Sequence, residues 1–176
     1  MSWSNLNGQR IDFEPVTMKI VEALHEYASN EDVSKFIGWP LMHVISDSEA
    51  YVKKLIENEK NKTHQYASVV LKENNQHIGT MMLFNFNDEA KHAEIGFVIH
   101  QDYWNKGYTT EAVNLILDYV KEHTDLHKVC ARVVSANKGS SKVLFNSGFL
   151  LEGQLRDQFY INEMYYDCLH YGLILD

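Results

Sequence analysis

Three runs of strand-like sequence follow one another between Tyr66 and Ile99, and very little chain separates them. They are Tyr66 to Leu71, Ile78 to Phe86 and His92 to Ile99. Glu73-Asn74-Asn75-Gln76 and Asn87-Asp88-Glu89 lie between them, and both sets are rich in turn-forming residues. Connections that short cannot carry the chain back along a sheet, so the three strands must pair antiparallel. In the third run Ala93, Ile95, Phe97 and Ile99 share one face, and Glu94 points to the other.

After Ile99 the hydrophobic period changes. Ala112, Val113, Ile116, Tyr119 and Val120 form one stripe of a helix from about Gly107 to Glu122. Val129 to Val134 reads as a strand, and Asn137 to Ser147 as a helix closed by Gly148 at its C′ position. Phe149 to Leu155 and Tyr165 to Leu175 read as the last two strands. Near the N-terminus, Met18, Val21, Leu24 and Ala28 predict a helix with Thr17 as its cap. Phe36 to Ile45 is irregular around Gly38-Trp39-Pro40. A helix follows from about Asp47, with Ala50, Val52, Leu55 and Ile56 as its apolar side. The expected fold class is α+β: a mixed sheet flanked by helices, with strand-helix-strand crossovers that make some neighbours parallel.

A chain of 176 residues fits one domain spanning 1–176, and with only two prolines no linker is visible. The net charge of −8 argues against nucleic acid, whose phosphates need a basic face, and favours a cationic partner such as an amine. No run of 18 apolar residues occurs, so no membrane span is expected. Met1 to Arg10 is polar and lacks the apolar core of a secretory signal. Cys130 and Cys168 read as free thiols, and the whole points to a cytoplasmic protein. His123 and His127 have the spacing of metal ligands on a helix, but Asp125-Leu126 should end that helix first, so no metal is expected. The sequence contains neither a Walker-type phosphate loop nor a nucleophile-elbow serine.

The most informative segment is Tyr103-Trp104-Asn105-Lys106-Gly107-Tyr108-Thr109-Thr110-Glu111-Ala112, which joins a strand to the start of a long helix. The first amides of a helix lack partners and carry partial positive charge, so an anion is stabilised there. Gly107 lets a ligand approach the backbone closely. A phosphate-binding turn and an ordinary strand-helix turn both fit this physics.

The segment resembles the coenzyme-A-binding motif of the GNAT N-acetyltransferase superfamily, and most closely the branch that acetylates ribosomal-protein N-termini. That branch commonly has Gly where this chain has Asn105 and Ala where it has Thr109; Trp104 stands in place of the Arg or Gln of the general motif. Asn137-x-x-Ser140-x-x-x-Leu144-x-x-x-Gly148-Phe149 is similar to the superfamily's later helix, and Glu152-Gly153-x-Leu155-Arg156 and Tyr166-Asp167-x-x-x-Tyr171 are similar to the branch's C-terminal pattern. The resemblance implies about seven strands, mostly antiparallel, with a splay between the fourth, ending near Ile99, and the fifth, Val129 to Val134. It implies acetyl-CoA as co-substrate. The pantetheine arm would lie against Phe97, Val98 and Ile99. The pyrophosphate would meet amides of Asn105, Lys106, Gly107, Tyr108, Thr109 and Thr110. Asn137 would bond to the arm, and Phe145 would cover it or serve as plain core.

The implied reaction is direct attack of a primary amine on the thioester, without a covalent enzyme intermediate. The amine must first lose a proton, and an amide near Val98 would steady the oxyanion. Glu94 is the first candidate base, with Glu152 or solvent as alternatives. A base that some ribosomal-protein enzymes carry just before Tyr160 is replaced here by Phe159. The tyrosine acid of many GNAT enzymes is replaced by Leu144, which leaves Ser140 to assist the thiol. Trp39 and the loop Phe36 to Ile45 are candidates for the acceptor wall, and core packing explains Trp39 as well. The acceptor, a protein N-terminus or a small amine, stays open, as does a homodimer. The missing tyrosine and Phe159 leave room for a catalytically weak, coenzyme-A-binding sensor domain.

Overall fold

In a computed structural model, which describes residues 3–175, seven strands form one sheet in the order β1-β2-β3-β4-β5-β7-β6. The strands are β1 (Ile11–Glu14), β2 (His64–Leu71), β3 (His77–Asn87), β4 (His92–Ile99), β5 (Lys128–Val134), β6 (Leu150–Ile161) and β7 (Met164–Ile174). The helices are α1 (Val21–Ala28), α2 (Glu31–Ser34), α3 (Ile45–Lys60), α4 (Tyr108–His123) and α5 (Lys138–Asn146). β2, β3 and β4 form the expected antiparallel meander. β4 and β5 are joined through α4 and pair parallel, while β7 inserts between β5 and β6 and runs antiparallel to both.

The sheet buries both faces. On one, Ala93, Ile95 and Ile99 of β4 and Val129, Ala131 and Val133 of β5 pack with Ala112, Val113, Ile116 and Val120 of α4 and Leu144 of α5. On the other, Tyr66 and Val98 pack with Leu24, Tyr27 and Ala28 of α1 and Val52 and Leu55 of α3. The alternation read in β4 is therefore the alternation between two cores.

Several elements differ from expectation, each for a local reason. Thr17 caps a single 3-10 turn, Met18–Ile20, which leads into α1. α3 begins before Asp47 because the Asp47 carboxylate accepts from the amides of His43 (3.0 Å) and Val44 (3.2 Å), placing it inside the first turn. α2 is a short helix ahead of the irregular segment, in a stretch where no element was expected, and the Asn30 side chain caps it by accepting from Asp32 N at 2.9 Å. β1 was not expected; at four residues it is too short to show a period. β6 continues beyond Leu155 because Arg156, Asp157 and Gln158 form a bulge opposite Asp167, whose carboxylate accepts the Asp157 amide at 3.0 Å.

Ile116 is fully buried between α4 and the sheet. Ile116→Ala should cost about 2–5 kcal/mol in urea unfolding, through lost burial and an uncollapsed cavity.

Candidate active site

β4 and β5 stay paired for only three residue positions, ending at Glu94↔Cys130. Beyond that point the strands diverge, and the splay opens into a cleft of about 700 Å³. One wall is Phe97, Val98 and Ile99 at the end of β4, with Trp104, Asn105, Gly107, Thr109 and Thr110 beyond it. The other wall is Ala136, Asn137, Gly139, Ser140 and Val143 at the start of α5. Asp32, Val33, Lys35, Phe36 and Ile37, from α2 and the chain after it, close one side.

The turn into α4 is shaped by two left-handed residues, Asn105 (φ 59) and Gly107 (φ 82). Asn is among the few residues with a side chain that tolerate this region, which explains how it can stand where the resemblance has glycine. Gly107 is the N-cap, and no side chain caps the helix there. The first helical bond is Glu111 N to Gly107 O at 3.0 Å. The amides of Tyr108, Thr109 and Thr110 therefore precede the intrahelical ladder, at the positive end of a 16-residue helix that borders the cleft. Trp104 is fixed by its indole N–H, which donates to Ile99 O at 2.7 Å.

Neither Lys106 nor Tyr108 is among the residues that line the cleft. Lys106 Nζ lies 5.3 Å from the Tyr103 ring, and Tyr108 carries the Arg10 guanidinium 4.6 Å over its ring.

Asn137 caps α5 by accepting from Ser140 N at 3.1 Å, and Ser140 borders the cleft within the first turn. Phe145 corrects the plain-core alternative: it is 73% exposed, and it is not among the residues lining the cleft. Leu144 takes the core position on α5, and the next residue is rotated by about 100° toward solvent. Leu144 is fully buried, so no donor faces the thiol from that position.

Glu94 lies on the same face of β4 as Val98, at the last paired position and outside the cleft lining. Its carboxylate is held by two donors, Arg132 Nε at 2.9 Å and Asn85 Nδ2 at 3.1 Å. Glu152 is farther off, at the Lys128 end of β5. It accepts from Lys128 Nζ at 2.6 Å, and its carboxylate lies against Gly172, where a Cβ would meet it at 2.4 Å. Phe159 and Tyr160 pair with Tyr166 and Tyr165 in the β6–β7 hairpin. Trp39 follows its core alternative: it stacks with Tyr27 and meets Tyr51 edge-on at 4.9 Å, while Phe36 of the same loop lines the cleft. Phe36 in turn meets Tyr166 edge-on at 5.9 Å.

Lys35, Lys138 and Lys142 also border the cleft and give it a basic rim within an acidic protein. Reading the sequence missed them, because lysines on short helices carry no periodic signal. Cys130 and Cys168 are free, and burial raises both thiols above their ordinary range. Among the described residues no group of His, Cys, Asp or Glu is placed to hold a metal ion, and no helix is long and apolar enough to cross a membrane.

Residues 10–150 match the acetyltransferase (GNAT) domain. The chain is similar to the uncharacterized N-acetyltransferase YoaA of Bacillus subtilis, with 24% identity over 96% of each chain. It shares 25% identity with the ribosomal-protein-serine acetyltransferase of Escherichia coli, covering 91% of this chain and 97% of that one. With the spermidine N(1)-acetyltransferase of Escherichia coli it shares 23% identity, covering 93% and 85%. Among solved structures, a GNAT-family acetyltransferase from Bacillus anthracis superposes with a TM-score of 0.85 at 26% identity, covering 96% of this chain and 97% of that one. The microcin C7 self-immunity acetyltransferase MccE, solved with acetyl-CoA and AMP, has the same fold, with a TM-score of 0.87 at 21% identity over 97% and 96%. The matched region takes in most of the sequence, including the splay, the turn and both helices beside them, and the chain belongs to the GNAT acetyltransferase family.

Proposed function

We propose that this enzyme transfers the acetyl group of acetyl-CoA to a primary amine by direct attack, with both substrates held together in the cleft. The observation that carries the reading is the uncapped start of α4, bent by Asn105 and Gly107 so that it borders the splay between β4 and β5. Such a terminus suits a pyrophosphate, and the lysine rim suits further phosphate charge. The pantetheine arm would run along Phe97 to Ile99, where β4 has lost its partner strand. Asn137 already spends its Oδ1 on Ser140 N; its Nδ2 has no partner among the described residues and is the group available to the arm.

For proton transfer, Glu94 is the proposed base and Ser140 the proposed aid to the departing thiol. Glu94 is held by Arg132 and Asn85 outside the cleft lining, so it would act through water rather than by direct contact. Most of the acceleration is then assigned to holding amine and thioester in register. The acceptor is proposed to be a protein N-terminus or a small amine. Relatives named for a ribosomal protein and for spermidine support that pair, and the net charge of −8 favours a cationic substrate. The relatives' names as enzymes favour turnover over a sensor role. We assign the whole of 1–176 to one catalytic domain and place it in the cytoplasm, where acetyl-CoA is available.

The test is thiol release from acetyl-CoA across N-terminal peptides and small amines. Acetylation of at least one amine class is expected, and coenzyme A binding without turnover on any amine would favour the sensor alternative. Gly107→Val should weaken coenzyme A at least tenfold, about 1.4 kcal/mol, because a β-branched residue resists φ 82 and its Cβ would press on the Arg10 guanidinium, 3.3 Å away, that holds the turn. Calorimetric titration of the folded variant checks this. Glu94→Gln should lower kcat by about 10²–10⁴-fold at neutral pH, with partial recovery at high pH where the amine deprotonates unaided. A change in KM alone across the pH series would reduce Glu94 to an electrostatic contact.

A further inference from the structure

We infer that Arg10 is a positioning residue for acetyl-CoA: from outside the cleft it locks the Asn105–Gly107 turn in the form that turns its amides toward the cofactor's pyrophosphate. The inference rests on the reading above that this turn receives the pyrophosphate.

Arg10 makes four contacts at once. Its amide donates to Glu111 Oε1 at 2.8 Å, its Nε donates to Glu111 Oε2 at 2.8 Å, and its Nη1 donates to Lys106 O at 2.9 Å. Its guanidinium lies over the Tyr108 ring. Glu111 sits in the first turn of α4, and Lys106 lies between the two left-handed residues. One side chain therefore ties the N-terminal segment both to the turn and to the helix that follows it.

The bond to Lys106 O is the decisive one. A trans peptide is planar, with its C=O and N–H pointing in opposite directions. Holding Lys106 O on the Arg10 side directs the Gly107 N–H away from Arg10. Gly107 borders the cleft, whereas Arg10 lies outside its lining, beside Tyr108 in a separate cavity of about 330 Å³. Gly107 adopts its φ freely, but Asn105 at φ 59 gains from surroundings that hold it, and the Arg10 bond to Lys106 O contributes to that hold.

The rest of the segment is shaped to deliver Arg10. Asn7 bridges to Asp12, and Gly8 N donates to Ile11 O at 2.8 Å, closing a tight loop around it. A Cβ on Gly8 would meet Glu111 Oε1 at 2.8 Å and Ile11 O at 2.9 Å, so only glycine lets the loop dock this closely on α4. Burial would raise the Glu111 carboxyl, but the amide and guanidinium of Arg10 outweigh it and hold the group below its ordinary range. Glu111 therefore stays an anion for Arg10 to grip.

The test compares acetyl-CoA with S-acetylpantetheine, a thioester that lacks every phosphate, in steady-state kinetics. Arg10→Met keeps the stem and removes the fork. It should raise KM for acetyl-CoA about tenfold, with kcat and the KM for acetylpantetheine each within about twofold of the parent. Arg10→Lys keeps the charge but cannot fork between Glu111 and Lys106. It should show most of the same loss, which separates geometry from long-range attraction, and it carries the test if Arg10→Met does not fold. An unchanged KM for acetyl-CoA in a folded variant, or an equal rise for both thioesters, overturns the inference. If the parent enzyme itself does not prefer acetyl-CoA over acetylpantetheine, the pyrophosphate reading fails first, and the inference falls with it.

Discussion

The structure turns on a pairing that stops. Parallel β4 and β5 share three ladder positions and then separate, in the interior of a seven-stranded sheet. A backbone group inside a protein must find a partner in the chain, in water or in a ligand. Past Glu94 the β5-facing groups of β4 have no strand to meet, although the β3 side of the same residues remains paired up to Gly79↔Ile99. The opening is therefore held by β3 on one side and lacks a partner strand on the other, where the Trp104 indole N–H meets Ile99 O. An extended ligand with its own amides can complete the sheet there.

The two helices that follow the splayed strands inherit their geometry from it. α4 begins just beyond the end of β4 and α5 just beyond the end of β5, so both N-termini border one opening. They are finished differently. α5 is capped by Asn137, which satisfies an orphan amide from within the chain. α4 has no side-chain cap, and its left-handed entry leaves the first amides facing outward. An acidic chain that keeps an uncapped helix start and three lysines around one cleft concentrates positive potential where an anionic ligand would dock.

The sequence showed those parts of the fold whose cause is local. The alternation of Ala93, Ile95 and Ile99 and the stripe on α4 both depend on residues within a few positions, and both appear as expected. Helix phase at single-residue precision was less legible: Leu144 is core and Phe145 points to solvent, a difference decided by which neighbour the sheet accepts. Trp39 shows the same limit, since its packing against Tyr27 and Tyr51 joins three separate elements. Arg10 carried no local signal, because Glu111 lies 101 residues away. The bulge in β6 reads as the end of a strand, because its polar residues look like a turn until Asp167 is seen opposite them.

The positions of Glu94 and Ser140 bear on how such a site can work. Glu94 stands where β4 and β5 are still joined, and Arg132 of the neighbouring strand neutralises it. Ser140 stands across the opening on α5. Glu94 is bonded to Arg132 and Asn85 rather than to Ser140, so the two do not make the nucleophile–base contact of a catalytic triad. The chemistry tolerates this, because an amine already attacks a thioester once deprotonated and a thiolate is a good leaving group. The demands on the protein are to exclude disorder in the two substrates and to let one proton leave. As proposed above, a splay held by β3 on one side and a turn held by Arg10 would meet the first demand. Glu94, outside the cleft lining and paired with Arg132, would meet the second through water. Relatives named for substrates as different as spermidine and a ribosomal protein belong with this chain to one family of similar sequence.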